Sequence, residues 1–208
     1  MDAEAAAAAG WTILDLATAF LRGGARFLQL RAKSMPGDAF LATASALVRL
    51  AHHHQTRLVI NDRADIARLS GADGVHVGQD DLPPVAVRAL VGKEPLVGLS
   101  THTLDQVDAA VREPVNYVAI GPVFGTVTKQ TGYETVGLGM VREAARRAAA
   151  HGLPLVAIGG ITLEKAAAVL DAGAASVAVI GDLLVTPDPE ARVRAFVERL
   201  SRSERPRV

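Results

Sequence analysis

The sequence predicts an α/β protein of the (β/α)8 barrel type in which the first strand is absent. Short apolar runs alternate with longer amphipathic segments along the 208 residues, as expected when strands and helices alternate. A Gly-Ala pair that ends a helix stands before a strand three times, at 24–25, 71–72 and 173–174. An open doubly wound sheet is the alternative fold, but the nucleotide-binding fingerprints GxGxxG and GxxxxGK[ST] are absent from the sequence.

The elements follow one another in a regular order. Strands are predicted at 27–31, 58–60, 74–77, 96–99, 117–120, 155–158 and 176–180. Helices are predicted at 12–23, 38–54, 64–69, 82–91, 103–112, 140–151, 162–172 and 189–200. Asp38 and Thr103 are good N-caps, and prolines 83 and 84 fit the first turn of their helix. Residues 121–137 form a long loop, and 201–208 form a basic tail.

One strand of the expected eight is missing from this pattern. The chain opens with a linker and a helix where a first strand would stand. Either the barrel is short of a strand, or the sequence starts late, or residues 3–11 replace the strand in an irregular way. A barrel without one strand has two unpaired edges beside an apolar interior, which proteins usually avoid. We therefore expect a gap between the second and eighth strand positions, or its filling by another chain.

Composition narrows the class of protein. A length of 208 residues suits one domain, here spanning 1–208. The formal net charge is zero, so no bulk attraction to nucleic acid or acidic membranes is expected. With no cysteine, disulfides, thiolate metal sites and a cysteine nucleophile are excluded. No apolar run reaches the roughly 20 residues of a membrane helix, and the N-terminus is a poor signal peptide. We expect a cytoplasmic protein.

Acidic residues follow two successive strands in the stretch from Leu58 to Asp81. The first apolar run is followed by Asp62 and the second by Asp80 and Asp81. In parallel α/β folds the carboxyl ends of the strands carry the chemistry. Two carboxylates placed there are suitable ligands for Mg²⁺, which prefers oxygen. Asp81 is favoured as the second ligand, and capping of the following helices is the alternative role for both aspartates.

The other predicted strand ends are also polar. They carry Gln29, Arg31, Lys33, Asn61, His76, Gln79, Ser100, His102, Thr126, Thr128 and Lys129. Cations beside Mg²⁺-type ligands suit a diphosphate. Glycines 159, 160 and 181 follow the last two strands, where barrels commonly hold a phosphate on backbone N–H groups. A simple turn is the alternative for the glycine pair, and a core position is the alternative for His76.

The sequence contains the motifs QLRAK (29–33), ND (61–62), GADGVHVGQDD (71–81), GLSTHT (98–103), GPVFGTVTK (121–129) and AIGGI (157–161). Taken together, these motifs resemble those of the thiamine-phosphate synthase family. The resemblance implies a transferase that joins 4-amino-5-hydroxymethyl-2-methylpyrimidine diphosphate to a thiazole phosphate, giving thiamine phosphate and diphosphate. It implies Mg²⁺ as cofactor and two small-molecule substrates as partners; a homo-oligomer is also possible under this assignment. Members of that family have a strand before the first helix.

Individual roles also follow from the resemblance. Asp62 and Asp81 match Mg²⁺ ligands. Residues that hold the diphosphate in the family are matched by Arg31, Lys33, Asn61 and Lys129. Residues around the pyrimidine are matched by Gln29, His76 and Ser100, and contacts on the thiazole side by Thr126 and Thr128. The turns that hold the thiazole phosphate are matched by Gly160, Ile180 and Gly181. Arg31, Lys33, Ser100 and Lys129 are expected to act in catalysis. The family often has Ser where Gly181 stands, so loss of one hydrogen bond worth ~1 kcal/mol is expected. Many members have Pro where Gly125 stands.

The implied reaction needs no catalytic base, because the thiazole nitrogen is nucleophilic and carries no proton. The 4-amino group can push electrons toward the exocyclic carbon while Mg²⁺ and cations neutralise the departing diphosphate. Three alternative functions are a thiazole tautomerase of the same superfamily, a non-catalytic regulatory barrel, and a sugar-phosphate epimerase. The first typically lacks the paired carboxylates, and the last needs metal-binding histidines that the sequence does not show.

Overall fold

Seven parallel strands in a single curled sheet form the centre of the computed structural model, which describes residues 1–125 and 132–201. The strands are β1 (Phe27–Leu30), β2 (Arg57–Asn61), β3 (Gly74–Val77), β4 (Leu96–Thr101), β5 (Tyr117–Ile120), β6 (Leu155–Ile158) and β7 (Ser176–Ala178). Each strand pairs with its sequence neighbour, in the order β1 to β7. This arrangement confirms the predicted α/β fold, a TIM-like barrel with one strand missing.

Helices connect and cover the strands. They are α1 (Ala3–Ala8), α2 (Ile13–Arg22), α3 (Gly37–His53), α4 (Ala64–Ser70), α5 (Pro84–Val91), α6 (Leu104–Ala110), α7 (Gly137–Ala150), α8 (Leu163–Asp171) and α9 (Pro189–Ser201), with a short 3₁₀ helix at Gly181–Leu184. In the described residues no helix is both long enough and apolar enough to cross a membrane. Val59 and Ile60 are successive residues of β2 whose side chains point to opposite faces of the sheet, and both are completely buried, so the core lies on both faces.

The first residues of the chain stand beside β1. The Ala3 amide donates to the Arg31 carbonyl (2.8 Å), and the Arg31 amide donates to the Met1 carbonyl (2.9 Å), which makes a short parallel bridge. The sequence predicts a linker or an irregular substitute for a strand in residues 3–11. Instead Ala3–Ala8 is a helix, because Asp2 caps it by accepting from the Ala5 amide at 2.9 Å.

The open side of the sheet lies between β1 and β7. In the described parts of the chain these two strands are not paired with each other, as the predicted gap requires. The helix layer nevertheless closes across this side, where α2 packs against α9. A Cβ at Gly23 would lie 2.6 Å from the Glu190 carbonyl oxygen, so the end of α2 can approach α9 closely only with glycine there.

Candidate active site

A lysine and an aspartate meet where β1 and β2 end. Lys33 Nζ lies 3.1 Å from Asp62 Oδ2. Asp62 follows β2 directly, and its amide donates to the His76 carbonyl of β3 at 2.8 Å. Its φ of +63° is in the left-handed region, which is uncommon for residues other than glycine and is most often adopted by Asn and Asp. The backbone therefore holds this carboxylate in a fixed place against the neighbouring strand.

Asp81 completes what we call the carboxylate cluster, Lys33, Asp62 and Asp81. Burial raises the pKa of Asp62, and the adjacent Asp81 carboxyl raises it further, while Lys33 acts in the opposite direction. Asp81 Oδ2 also accepts from the Gly78 amide at 2.7 Å. Neither aspartate is a helix cap, because the N-cap residues of α4 and α5 are Arg63 and Pro83, and neither helix has a side-chain capping bond.

The carboxylate cluster fits a divalent cation. Two adjacent carboxylates repel each other, and a cation between them would remove the repulsion that raises the pKa of Asp62. Mg²⁺ typically takes one or two carboxylates and completes its shell with water and substrate phosphates. Across residues 1–125 and 132–201, no group of three Asp, Glu or His side chains converges as a metal site. Water and substrate phosphates would supply further oxygen ligands beside those of Asp62 and Asp81.

Arg31, at the end of β1, is turned toward the N-terminal segment. Its Nη1 lies 2.5 Å from Asp2 Oδ2 and 3.7 Å from Glu4 Oε2. Its Nε is buried without a hydrogen-bond partner among the described residues, so the guanidinium retains unused donor capacity. Asp2, Glu4 and Arg31 line an open cleft of about 440 Å³, together with Leu184.

A line of hydrogen bonds crosses the sheet from β3 to β5. His76 Nε2 is 2.8 Å from Ser100 Oγ, and His76 Nδ1 is 3.0 Å from the Tyr117 hydroxyl. His76 is therefore both a buried, satisfied histidine and a neighbour of Ser100. Burial raises the pKa of Tyr117, which keeps its hydroxyl protonated. A Cβ at Gly98 would lie 2.1 Å from Tyr117 Cζ, so this glycine makes room for the ring.

The glycine pair after β6 is packed against the loop that follows β5. The Val123 amide donates to the Ile158 carbonyl (2.9 Å), and the Phe124 amide donates to the Gly159 carbonyl (3.0 Å). Gly160 has a φ of +62°, and a Cβ there would lie 2.4 Å from the Gly125 carbonyl oxygen. Glycine is required at this turn by close backbone packing, whether or not it also binds phosphate. Ile180 and Gly181 follow β7, the strand paired with β6.

The predicted site residues thus fall into groups. Lys33, Asp62 and Asp81 are brought together, and His76 is bonded to Ser100. Gln29 lies in β1 and Asn61 ends β2, both half-buried. Thr126, Thr128 and Lys129 lie outside the described residues.

Sequence reasoning missed two residues at these groups. Tyr117 had a signal, because it begins an otherwise aliphatic strand. Asp2 had no signal as the partner of Arg31, because nothing in the sequence shows that the two meet.

The sequence of the chain is similar to those of known proteins. A family model described as "Thiamine monophosphate synthase" matches residues 3–183. A relative called thiamine-phosphate synthase from Roseiflexus castenholzii is 43% identical over 187 residues, covering 90% of this chain and 81% of the relative. One of the same name from Koribacter versatilis is 46% identical over 189 residues, covering 91% and 87%.

Solved structures agree with the fold. Thiamine phosphate pyrophosphorylase from Pyrococcus furiosus superposes with a TM-score of 0.84 at 25% identity, covering 91% of this chain and 90% of that chain. A protein described as thiamine phosphate pyrophosphorylase from Bacteroides thetaiotaomicron has a TM-score of 0.63 at 18% identity, covering 92% of each chain. The second likeness, below 25% identity, supports the fold alone.

Proposed function

Because this chain belongs to the thiamine monophosphate synthase family, a family of transferases, we propose that it condenses 4-amino-5-hydroxymethyl-2-methylpyrimidine diphosphate with a thiazole phosphate. The products are thiamine phosphate and diphosphate. The observation that carries this proposal is the carboxylate cluster at the ends of β1, β2 and β3. There the Lys33 ammonium group and the adjacent carboxylates of Asp62 and Asp81 lie at the same edge of the sheet. That combination suits a metal-bound diphosphate better than a simple phosphate.

The reaction is a substitution at the exocyclic carbon of the pyrimidine. The bond from this carbon to the diphosphate oxygen breaks, and its electron pair leaves with the diphosphate. The thiazole nitrogen then supplies the lone pair for the new carbon–nitrogen bond. Neither step requires a proton to be removed from the nucleophile, so a base is not needed. The protein has to bind, orient and neutralise charge, as in other reactions with an anionic leaving group.

Residues around the carboxylate cluster would receive the leaving group. Asp62 and Asp81 would hold Mg²⁺, which when bound neutralises charge on the departing diphosphate. Lys33 would contact the diphosphate oxygens, and the position of its Nζ, 3.1 Å from Asp62 Oδ2, supports this role. Arg31, whose Nη1 lies 2.5 Å from Asp2 Oδ2, is proposed as a diphosphate ligand from the family resemblance. Asn61 and Lys129 are proposed as further diphosphate ligands from the family resemblance.

The pyrimidine would lie above the line of hydrogen bonds formed by Ser100, His76 and Tyr117. Ser100 is held from two sides, by His76 Nε2 on its hydroxyl and by Gln79 Nε2, which donates to its carbonyl at 2.6 Å. A serine fixed in this way presents its hydroxyl in one orientation, which favours one placement of the heterocycle. Gln29, Thr126 and Thr128 are proposed to complete the contacts with the two rings, and Gly160, Ile180 and Gly181 to hold the thiazole phosphate.

The test is direct. The purified chain is incubated with both substrates and Mg²⁺, and thiamine phosphate and diphosphate are quantified. We expect turnover that chelation of the metal abolishes and that Asp62→Asn or Asp81→Asn lowers by ~100-fold or more. Asp65→Asn is the matched control, because Asp65, on α4, forms an exposed ion pair at 2.6 Å with Arg63, the residue before this helix. Its turnover should equal that of the wild type.

The same assay separates the alternatives. Turnover that persists without a divalent cation, or in both cluster variants, would refute the proposed role of the carboxylates. A wild-type chain that binds a thiazole phosphate but forms no thiamine phosphate would indicate a tautomerase or a regulatory barrel.

A further inference from the structure

We propose that Asp182 and Arg192 are positioning residues that fix the two glycine-containing turns of the thiazole-phosphate site. This inference rests on the proposed function. We call Gly160, Ile180 and Gly181 the phosphate cup. Asp182 and Arg192 are not part of the cup; they act on its backbone through the contacts described below.

The first contact joins one turn to the helix that follows the other. β6 and β7 are paired as far as Ile158 and Ala178, and each then continues into its turn. Asp182 directly follows Gly181, and its Oδ2 accepts from the Leu163 amide at 3.1 Å. Leu163 is the first residue of α8, whose N-cap Thr162 makes no side-chain capping bond. A residue of the β7 turn therefore caps the helix that begins after the β6 turn.

The second contact holds Asp182 in place. Arg192, on α9, donates from Nε (3.1 Å) and Nη2 (2.7 Å) to Asp182 Oδ2. Arg192 Nε also lies 3.3 Å from the Asp182 carbonyl oxygen. The Asp182 and Arg192 side chains are only 10% and 18% exposed, so water screens this pair little. Arg192 is itself steadied by the Phe196 ring, 5.8 Å from its guanidinium carbon.

These contacts have two effects on the phosphate cup. They tie the residue after Gly181 to the start of α8, which sets the separation of the two turns whose amides would bind the phosphate. They also neutralise Asp182, so that the cup does not carry an uncompensated carboxylate beside a phosphate dianion. The Leu163 amide is already used by Asp182, so the phosphate would depend on the amides of the cup itself.

The experiment measures kinetics with each substrate varied in turn. Arg192→Gln and Asp182→Ala should each raise KM for the thiazole phosphate about tenfold, the effect of one charge-assisted hydrogen bond. KM for the pyrimidine diphosphate and kcat at saturation should not change. Arg194→Gln is the matched control, because Arg194 lies on the same helix in an ion pair with Glu190 at 2.5 Å that is half-exposed. The milder Arg192→Lys should give an intermediate KM and covers the case in which Arg192→Gln does not fold.

A binding measurement makes the test independent of turnover. Calorimetric titration of the full chain with inorganic phosphate should show the same tenfold loss of affinity in Arg192→Gln and Asp182→Ala. If the wild type makes no thiamine phosphate, the proposed function fails, and phosphate binding still decides the role of the pair. An unchanged KM and affinity, an equal rise of both KM values, tighter phosphate binding by Asp182→Ala, or no phosphate binding by the wild type would each overturn the proposal.

Discussion

The two sides of the candidate site are built from different parts of the chain. At the ends of β1, β2 and β3 the functional groups are side chains: Lys33, Asp62 and Asp81 carry charges that balance only in part. At the ends of β6 and β7 they are backbone groups, in turns packed closely against a neighbouring loop. On the first side a ligand would balance the remaining charge, whereas the second side is already well packed.

This difference predicts two kinds of sensitivity. A substitution on the charged side should remove chemistry and leave the fold intact, because the side chains there are partly exposed. A substitution on the backbone side should disturb the fold first, because an added Cβ meets backbone atoms.

Lys33→Met should lower kcat by ~10²–10³-fold, because it removes a positive charge from the leaving group in the transition state. The melting temperature should stay within about 2 °C of the wild type, since the Lys33 side chain is 54% exposed and its ion pair contributes little to stability. Lys93→Met, on an exposed loop after α5, is the control and should have wild-type kcat. A large loss of stability with little loss of kcat would contradict this, because it would show that Lys33 serves the fold and not the reaction.

Gly160→Ala should destabilise the protein by ~2–3 kcal/mol, because it combines a positive φ with a Cβ placed 2.4 Å from the Gly125 carbonyl oxygen. Urea denaturation measures the change. Gly139→Ala is the matched control: Gly139 lies in α7, a Cβ there meets nothing within 4 Å, and the change should stabilise by ~0.5–1 kcal/mol. Equal stability of Gly160→Ala and the wild type would contradict the packing role.

Tyr117→Phe should destabilise the protein by ~1–2 kcal/mol, because it removes the hydroxyl that His76 Nδ1 meets at 3.0 Å inside the sheet. The ring is retained, so packing against Gly98 is unchanged. The measurement is again urea denaturation, with kcat as a second readout. A loss of activity without a loss of stability would place Tyr117 with the charged side of the site.

Glu4→Gln should show the smallest effect, through the pH dependence of stability. The amide and hydroxyl of Ser34 donate to Glu4 and lower the pKa of its carboxyl from 4.5 to about 2. A lowered pKa means that the carboxylate stabilises the fold above pH ~4.5, and that this is lost as the pH falls toward 2. Because the side chain is 41% exposed, the expected difference at pH 7 is below ~1 kcal/mol.

Thermal melts of wild type and Glu4→Gln at pH 7, 4 and 2 measure this difference, which should vanish at the lowest pH. Glu94→Gln, at an exposed position, is the control. A difference that grows toward acid pH would show that the Ser34 contacts do not stabilise the carboxylate.

The alternation of strands and helices was predictable because its signals are local. Apolar runs of the right length and glycine helix stops placed all seven strands, with ends that differ by at most two residues from those observed. The carboxylate cluster was also predictable, since residues after neighbouring parallel strands must meet at one edge of the sheet. Whether Asp62 and Asp81 bind a metal stays a prediction.

Long-range pairing of side chains was not predictable. Nothing local shows that Arg31 turns to Asp2, or that Asp182 caps a helix that begins 19 residues earlier. The helix at Ala3–Ala8 was missed because an alanine run carries no amphipathic pattern, although Asp2 is a good N-cap. For Gly160 the sequence indicated a phosphate turn, whereas the packing of residues 122–125 against it depends on a loop distant in sequence.

The contact of α2 with α9 bears on how the molecule assembles. The strands pair in sequence order, so the sheet can grow one neighbour at a time without bringing distant segments together. The contact between Gly23, at the end of α2, and Val193, in α9, by contrast joins segments near the two ends of the sequence. The entropic cost of closing so long a loop rises only with the logarithm of its length. Closure of the ring by helices is therefore an assembly step that can come after the sheet has formed.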